Sequence, residues 1–341
     1  MSGAILSGVR CPPAVACGVQ TRPQRRPRRH RAAATVLLVV SVALATRPLA
    51  AQRCGPEALR LEQLAVQPLP PHFGIDGALS LADGGYALWS AESALLFMYP
   101  DGLRERRVLP PLLHPVGLAA DPDGYRFLDR ATGVEYRLGA DSVPERIGAV
   151  PLAPGEELDA ARWRDGGWTI GLRDTRARRF LVRRVDGAGV TTLFASAAAD
   201  SVLLIPRYHL SETGSALLLT RLTAPFEVLR LTAATGTVDT LAVPFGDAAL
   251  RLALPDTVAQ WRALPAVALD CGWVLTLSDL QSDRRLLLRY DAAGGLAKVT
   301  PLDAPFGVMA GRPAEGTLLA ARRAGELELV WYQWRWVRQD Q

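Results

Sequence analysis

Asparagine is absent from all 341 residues, and Lys298 is the one lysine beside 38 arginines. Without Asn there is no N-glycosylation acceptor, and any site that needs an asparagine ligand is excluded. The usual short signatures of catalysis and cofactor binding are missing as well. No G-x-S-x-G elbow exists, which disfavours a serine hydrolase of that class. No H-E-x-x-H, C-x-x-C, P-loop or strand-to-helix G-x-G-x-x-G occurs, so no cofactor is expected. After residue 52 no stretch sustains an apolar period of 3.6 residues, so helix is scarce. What is present is a chain with 49% hydrophobic and 21% charged residues. That is ample for a large core and unlike a disordered composition.

The formal net charge of +5 belongs to the N-terminal segment. Residues 1–51 hold eight arginines and no acid; the rest holds 31 basic and 34 acidic residues, or −3. An Arg-rich stretch, RPQRRPRRHR, precedes an uncharged apolar run from Ala32 to Ala45, and the small residues Ala50 and Ala51 follow. That order is the n-region, h-region and cleavage site of a secretory signal. The run is shorter than the roughly 20 residues a spanning helix needs. Residues 1–51 are therefore expected to be a signal peptide with a long basic n-region. Residues 52–341 are expected to be exported to the periplasm, cell envelope or exterior, with no transmembrane span. The mildly acidic remainder shows no basic stripe with interleaved aromatics, so no nucleic-acid partner is expected.

Beyond residue 70 one theme repeats: an apolar strand, an acidic or glycine turn, a second and a third strand, and a more polar fourth. Six units follow it, at about 77–109, 117–150, 158–195, 208–243, 266–302 and 307–337. One glycine per unit marks the first turn: Gly84, Gly124, Gly166, Gly214, Gly272 and Gly316. Glycine suits such turns because positive φ costs it nothing. Four strands repeating near every 40 residues define β-propeller blades. The expectation is an all-β, six-bladed propeller of four-stranded blades. An open array would leave a bare strand edge, so the alternating segment 59–68 is expected to pair into the sixth blade and close the ring. Residues 335–337 compete for the same place. The stretch 244–261 is expected to be an inserted loop.

Segments such as LADGGYALWS and ADPDGYRFLD make the chain resemble six-bladed propellers of the NHL-repeat and TolB-like kind. The resemblance spans about residues 59–337 and implies a ligand-binding scaffold, a protein-interaction platform or a metal-dependent lactonase. Lactonases of this fold use Glu, Asp and Asn ligands. With no Asn here, that site does not carry over residue by residue.

Outside the leader the histidines are His72, His114 and His209. Each lies just before or within the first strand of a unit, where propeller chains cross near the mouth of the central channel. Asp76, Glu157, Asp159, Arg207 and Asp303 fall at comparable places. Imidazoles and carboxylates converging there could hold a divalent metal or act as general acid and base. The competing reading is loop residues bonded to backbone or solvent. Cys54 and Cys271 form an even pair in an exported chain, either bonded to each other or two free thiols. The terminal VWYQWRWV reads as core between blades, and the arginine run Arg176 to Arg184 as a solvated hairpin edge. DPDG at 121–124 reads as a turn, since it lacks the further acids of a calcium loop.

The function expected is a monomeric, non-enzymatic scaffold binding an unknown small ligand or protein on one face. The alternative is a lactonase-like metal-dependent hydrolase with its pocket at the channel mouth.

Overall fold

The computed structural model describes residues 58–90, 93–139, 143–213, 216–232, 236–242, 261–279, 284–302 and 306–337. All belong to one compact unit, Ala50–Gln341. The expected leader, Cys54, Gly214, Asp303 and residues 244–260 lie outside the described set. Among the described residues there is no α-helix, and no helix is long and apolar enough to cross a membrane.

The chain enters as β1 (Ala58–Pro68). Blade one is β2 (Gly77–Ser80), β3 (Tyr86–Ser90), β4 (Ala94–Tyr99) and β5 (Gly102–Val108). Blade two is β6 (Pro115–Asp121), β7 (Gly124–Asp129), β8 (Val134–Leu138) and β9 (Pro144–Ala149). Blade three is β10 (Glu156–Arg164), β11 (Gly167–Asp174), β12 (Arg179–Asp186) and β13 (Gly189–Ala195). Blade four is β14 (Tyr208–Thr213), β15 (Ala216–Arg221), β16 (Val228–Thr232) and β17 (Thr237–Ala242). Blade five has β18 (Trp261–Ala263), β19 (Val267–Leu269), β20 (Gly272–Asp279), β21 (Arg285–Tyr290) and β22 (Leu296–Leu302). Blade six has β23 (Phe306–Arg312), β24 (Thr317–Ala324) and β25 (Glu326–Val337).

Each blade is one antiparallel sheet, and the order β1-β25-β24-β23 makes β1 the outer strand of blade six. The ring is closed by its N-terminal strand, in register from Ala58 opposite Val337 to Pro68 opposite Glu328. Residues 335–337 belong to β25, the third strand, and so do not compete with β1.

Two expectations need correction. Trp261 is not loop: it opens the inner strand of blade five and is fully buried. Pro265 cannot donate to the ladder, and it lies where that strand breaks into β18 and β19, both paired with β20. The arginine run is not an edge either. Most of it lies on β12, flanked by β11 and β13. Its charges are met by carboxylates: Arg183 bonds both oxygens of Glu156, and Arg184 bonds Asp186.

The turn glycines explain the repeat. All of them that are described adopt positive φ, from +64° to +141°. At Gly124 and Gly272 space forbids a side chain as well. A Cβ would stand 2.2 Å from the Leu138 carbonyl oxygen and 2.1 Å from that of Tyr290.

The core consists of six apolar clusters, one at each junction between neighbouring blades. Side chains alternate across a strand, so one strand feeds two junctions. On β3, Tyr86 and Leu88 pack against Leu319 and Trp331 of blade six. Ala87 and Trp89 on the other face pack against Leu118 and Phe127 of blade two. On β25, Trp331 faces blade one, while Trp334 packs against Val267 and Leu269 of blade five. This is why the middle strands are apolar throughout, as in the fully buried ALLFMY of β4, while outer strands such as β5, GLRERRV, are polar.

Candidate functional site

The innermost strands surround a central channel. At the end where the chain enters each inner strand there is a cavity of about 310 Å³. All six blades contribute to its wall: Asp76 and Ala78, Val116 and Gly117, Asp159 and Arg162, Tyr208 and His209, Leu264 and Pro265, Val308 and Met309. A second cavity of about 630 Å³ lies at the other end, lined among others by Ser211, Glu212 and Arg312. Ala78, Arg162 and Met309 line both, so they form the waist of the channel.

Four of the expected site residues meet in the first cavity: Asp76, Asp159, Arg207 and His209. A register shift between Leu158 and Ala160 on β10 falls at Asp159. Arg207, just before β14, bonds both Asp159 carboxylate oxygens. That bond holds the Arg207 guanidinium above its usual range. His209 is half-buried on the inner strand. Burial pushes its imidazole down to about 4, with Arg162 and Arg207 acting in the same direction and Asp159 opposing. The ring is therefore neutral at physiological pH. Asp76 is exposed at the rim.

The other expected residues do not join them. His72 is exposed in a turn at φ +65°. His114 is held by its backbone: its N–H donates to Asp129 at 3.0 Å and its carbonyl accepts from Arg130. Glu157 is on the exposed rim, paired with Arg173 at 2.9 Å. Sequence position near a crossing therefore does not ensure a place in the channel. Among the described residues no three His, Cys, Asp or Glu side chains gather as a metal-ligand group. Cys271 is buried and disulfide-bonded.

Two channel residues were missed by sequence reading. Arg130 follows the last residue of β7 and lines the cavity. Its Nε is buried with no hydrogen-bond partner among the described residues. Arg162 sits on β10 at the waist, where Nη1 donates to the Ala161 carbonyl at 3.1 Å. Its Cζ is 5.8 Å from the Trp89 ring centroid. Burial lowers the Arg162 guanidinium from its ordinary value, and Glu212, its nearest acidic influence, forms no ion pair with it. The available signal was weak: Arg162 lies on an innermost strand that also carries Arg164, and Arg130 follows a second strand.

Fold and cavity together define the class: a six-bladed β-propeller with a pocket of ligand size at its channel mouth. No family model matches the chain, and no curated protein matches it. Similar solved structures include a catalytically inactive virginiamycin B lyase from Staphylococcus aureus with quinupristin. It is 13% identical with a TM-score of 0.49, covering 80% of this chain and 99% of that one. A gluconolactonase from Xanthomonas campestris is 14% identical, TM-score 0.49, over 84% and 93%. An auxiliary nutrient binding protein from Bacteroides thetaiotaomicron is 10% identical, TM-score 0.49, over 81% and 77%. These likenesses are of fold alone, so membership of the NHL-repeat or TolB-like families is not shown.

Proposed function

We propose that this protein is an exported, non-enzymatic binding module that takes a small ligand in the cavity at its channel mouth. One observation carries the reading: a cavity of about 310 Å³ walled by residues of all six blades. Strands locked into six sheets hold such a wall rigid, so little ordering is required when a ligand enters. The arrangement gives a metal-dependent hydrolase no ligand set among the described residues. Export rests on the basic and apolar order of residues 1–51.

The test is a small-molecule panel screened by ligand-observed NMR against the purified chain and against Met309→Trp, whose indole fills the waist. Hits that vanish in Met309→Trp are expected. A panel with no such hit overturns the reading. N-terminal sequencing of the mature protein checks export, and an intact residue 30 refutes cleavage.

A further inference from the structure

We infer that the ligand of this cavity is a small hydrophobic carboxylate, its acid group held between Arg130 and Arg162. The inference rests on the cavity being the ligand site and adds the chemical class.

Charge comes first. A guanidinium stays protonated in proteins, so it cannot relieve burial by losing its proton. Arg130 and Arg162 both line the cavity, and neither forms an ion pair or a hydrogen bond to a side chain among the described residues. Arg207 differs, because Asp159 neutralises it. His209 adds no charge at neutral pH. Asp76 is the remaining acid of the wall, and it is exposed at the rim. Two cations thus face a confined space with one unpaired carboxylate at its edge, while Glu212, in the second cavity, acts on Arg162 through space without bonding it. Burying such charges without a counter-charge is costly, and an anion that binds there offsets the cost.

The wall then selects among anions. It contains no Ser, Thr or Gln, and the hydroxyl of its one tyrosine, Tyr208, is already engaged by Glu227. Its polar side chains are instead the charged groups and His209 already named, so the neutral hydroxyl and amide partners that surround a polyol are lacking. The rest of the wall is apolar, from Ile75 and Val116 to Leu264 and Met309, with Trp89 offering an aromatic ring. The volume lies at the small end for ligand pockets. An arginine fork matches a planar carboxylate with two parallel hydrogen bonds. These features fit a compact aromatic or branched acid.

Isothermal titration of the purified chain with phenylacetate, its uncharged analogue phenylacetamide, and sulfate tests the inference. Phenylacetate is expected to bind one per chain, at least tenfold tighter than either other probe. Arg130→Gln and Arg162→Gln should each weaken it at least tenfold, with the fold checked by circular dichroism. Arg162→Lys, which keeps charge but loses the fork, should fall between. Arg106→Gln, exposed on the outer strand of blade one, should change nothing. Equal binding of phenylacetamide, lost in Met309→Trp, would overturn the anionic class while leaving the cavity as a ligand site. Sulfate binding as tightly as phenylacetate would overturn the hydrophobic acid in favour of a bare anion. No phenylacetate binding, alongside panel hits sensitive to Met309→Trp, would overturn this inference alone. The absence of any hit would overturn both readings.

Discussion

Arg207 and Asp159 join blades three and four across the channel mouth, the guanidinium bonding both carboxylate oxygens from 48 positions further along the chain. The pair removes one positive and one negative charge from the cavity. Asp159→Asn should release Arg207 as a third cation. The expected result is a severalfold tighter binding of sulfate by calorimetry, with the gain shrinking as salt is added.

His209 makes stability depend on pH. Its folded value of about 4 lies below the model-peptide value of 6.5. Between those values the unfolded chain binds a proton that the folded chain refuses. Stability therefore falls as pH drops from about 6.5 to about 4, and is unaffected by this group above that window. The loss is on the order of 2 kcal/mol. Thermal unfolding of wild type and His209→Gln at pH 7 and pH 4.5 checks this. The variant should lose visibly less Tm on acidification.

Trp331 and Trp334 leave opposite faces of β25 and enter different blade junctions. Both are nearly inaccessible. Each alanine substitution should cost about 3–5 kcal/mol in denaturant unfolding. The two losses should add, because the side chains share no junction.

Closure by β1 predicts a folding requirement. A chain that begins at residue 69 leaves β25 as an unpaired edge. Such an edge recruits other chains. Size-exclusion chromatography should show soluble aggregate for the truncated chain and a single monomer peak for the intact one.

Cys271 is disulfide-bonded, and its expected partner is Cys54. The Cys271 turn is tied to β25 by Trp334 Nε1 donating to Asp270 at 3.2 Å. Trp334 stands opposite Leu61 of β1, so β1 begins at the end of the ring that carries this turn. Peptide mapping without reductant should recover a Cys54–Cys271 peptide. Cys54→Ser should lower stability by about 2–5 kcal/mol.

Six blades, their turns and the closing strand were legible in the sequence because each is a local signal. Alternation, a turn glycine with positive φ and an apolar middle strand all act within a few residues. The two-sided burial of Trp331 and Trp334 was legible too, since a strand flanked by blades on both sides has no wet face. Half-legible was the site. His209 and Asp159 could be placed at a crossing, but so could His72 and Glu157, which end exposed. Arg130 and Arg162 offered no spacing to read, being 32 residues and one blade apart. The sequence by itself determined the repeating unit and hence the ring, because hydrogen bonding and alternation are satisfied between neighbours in the chain. Only the tertiary structure decided which charges share the channel and which of them find a partner there. Electrostatic pairing depends on distance in space, and closing the ring brings together residues that no local pattern connects.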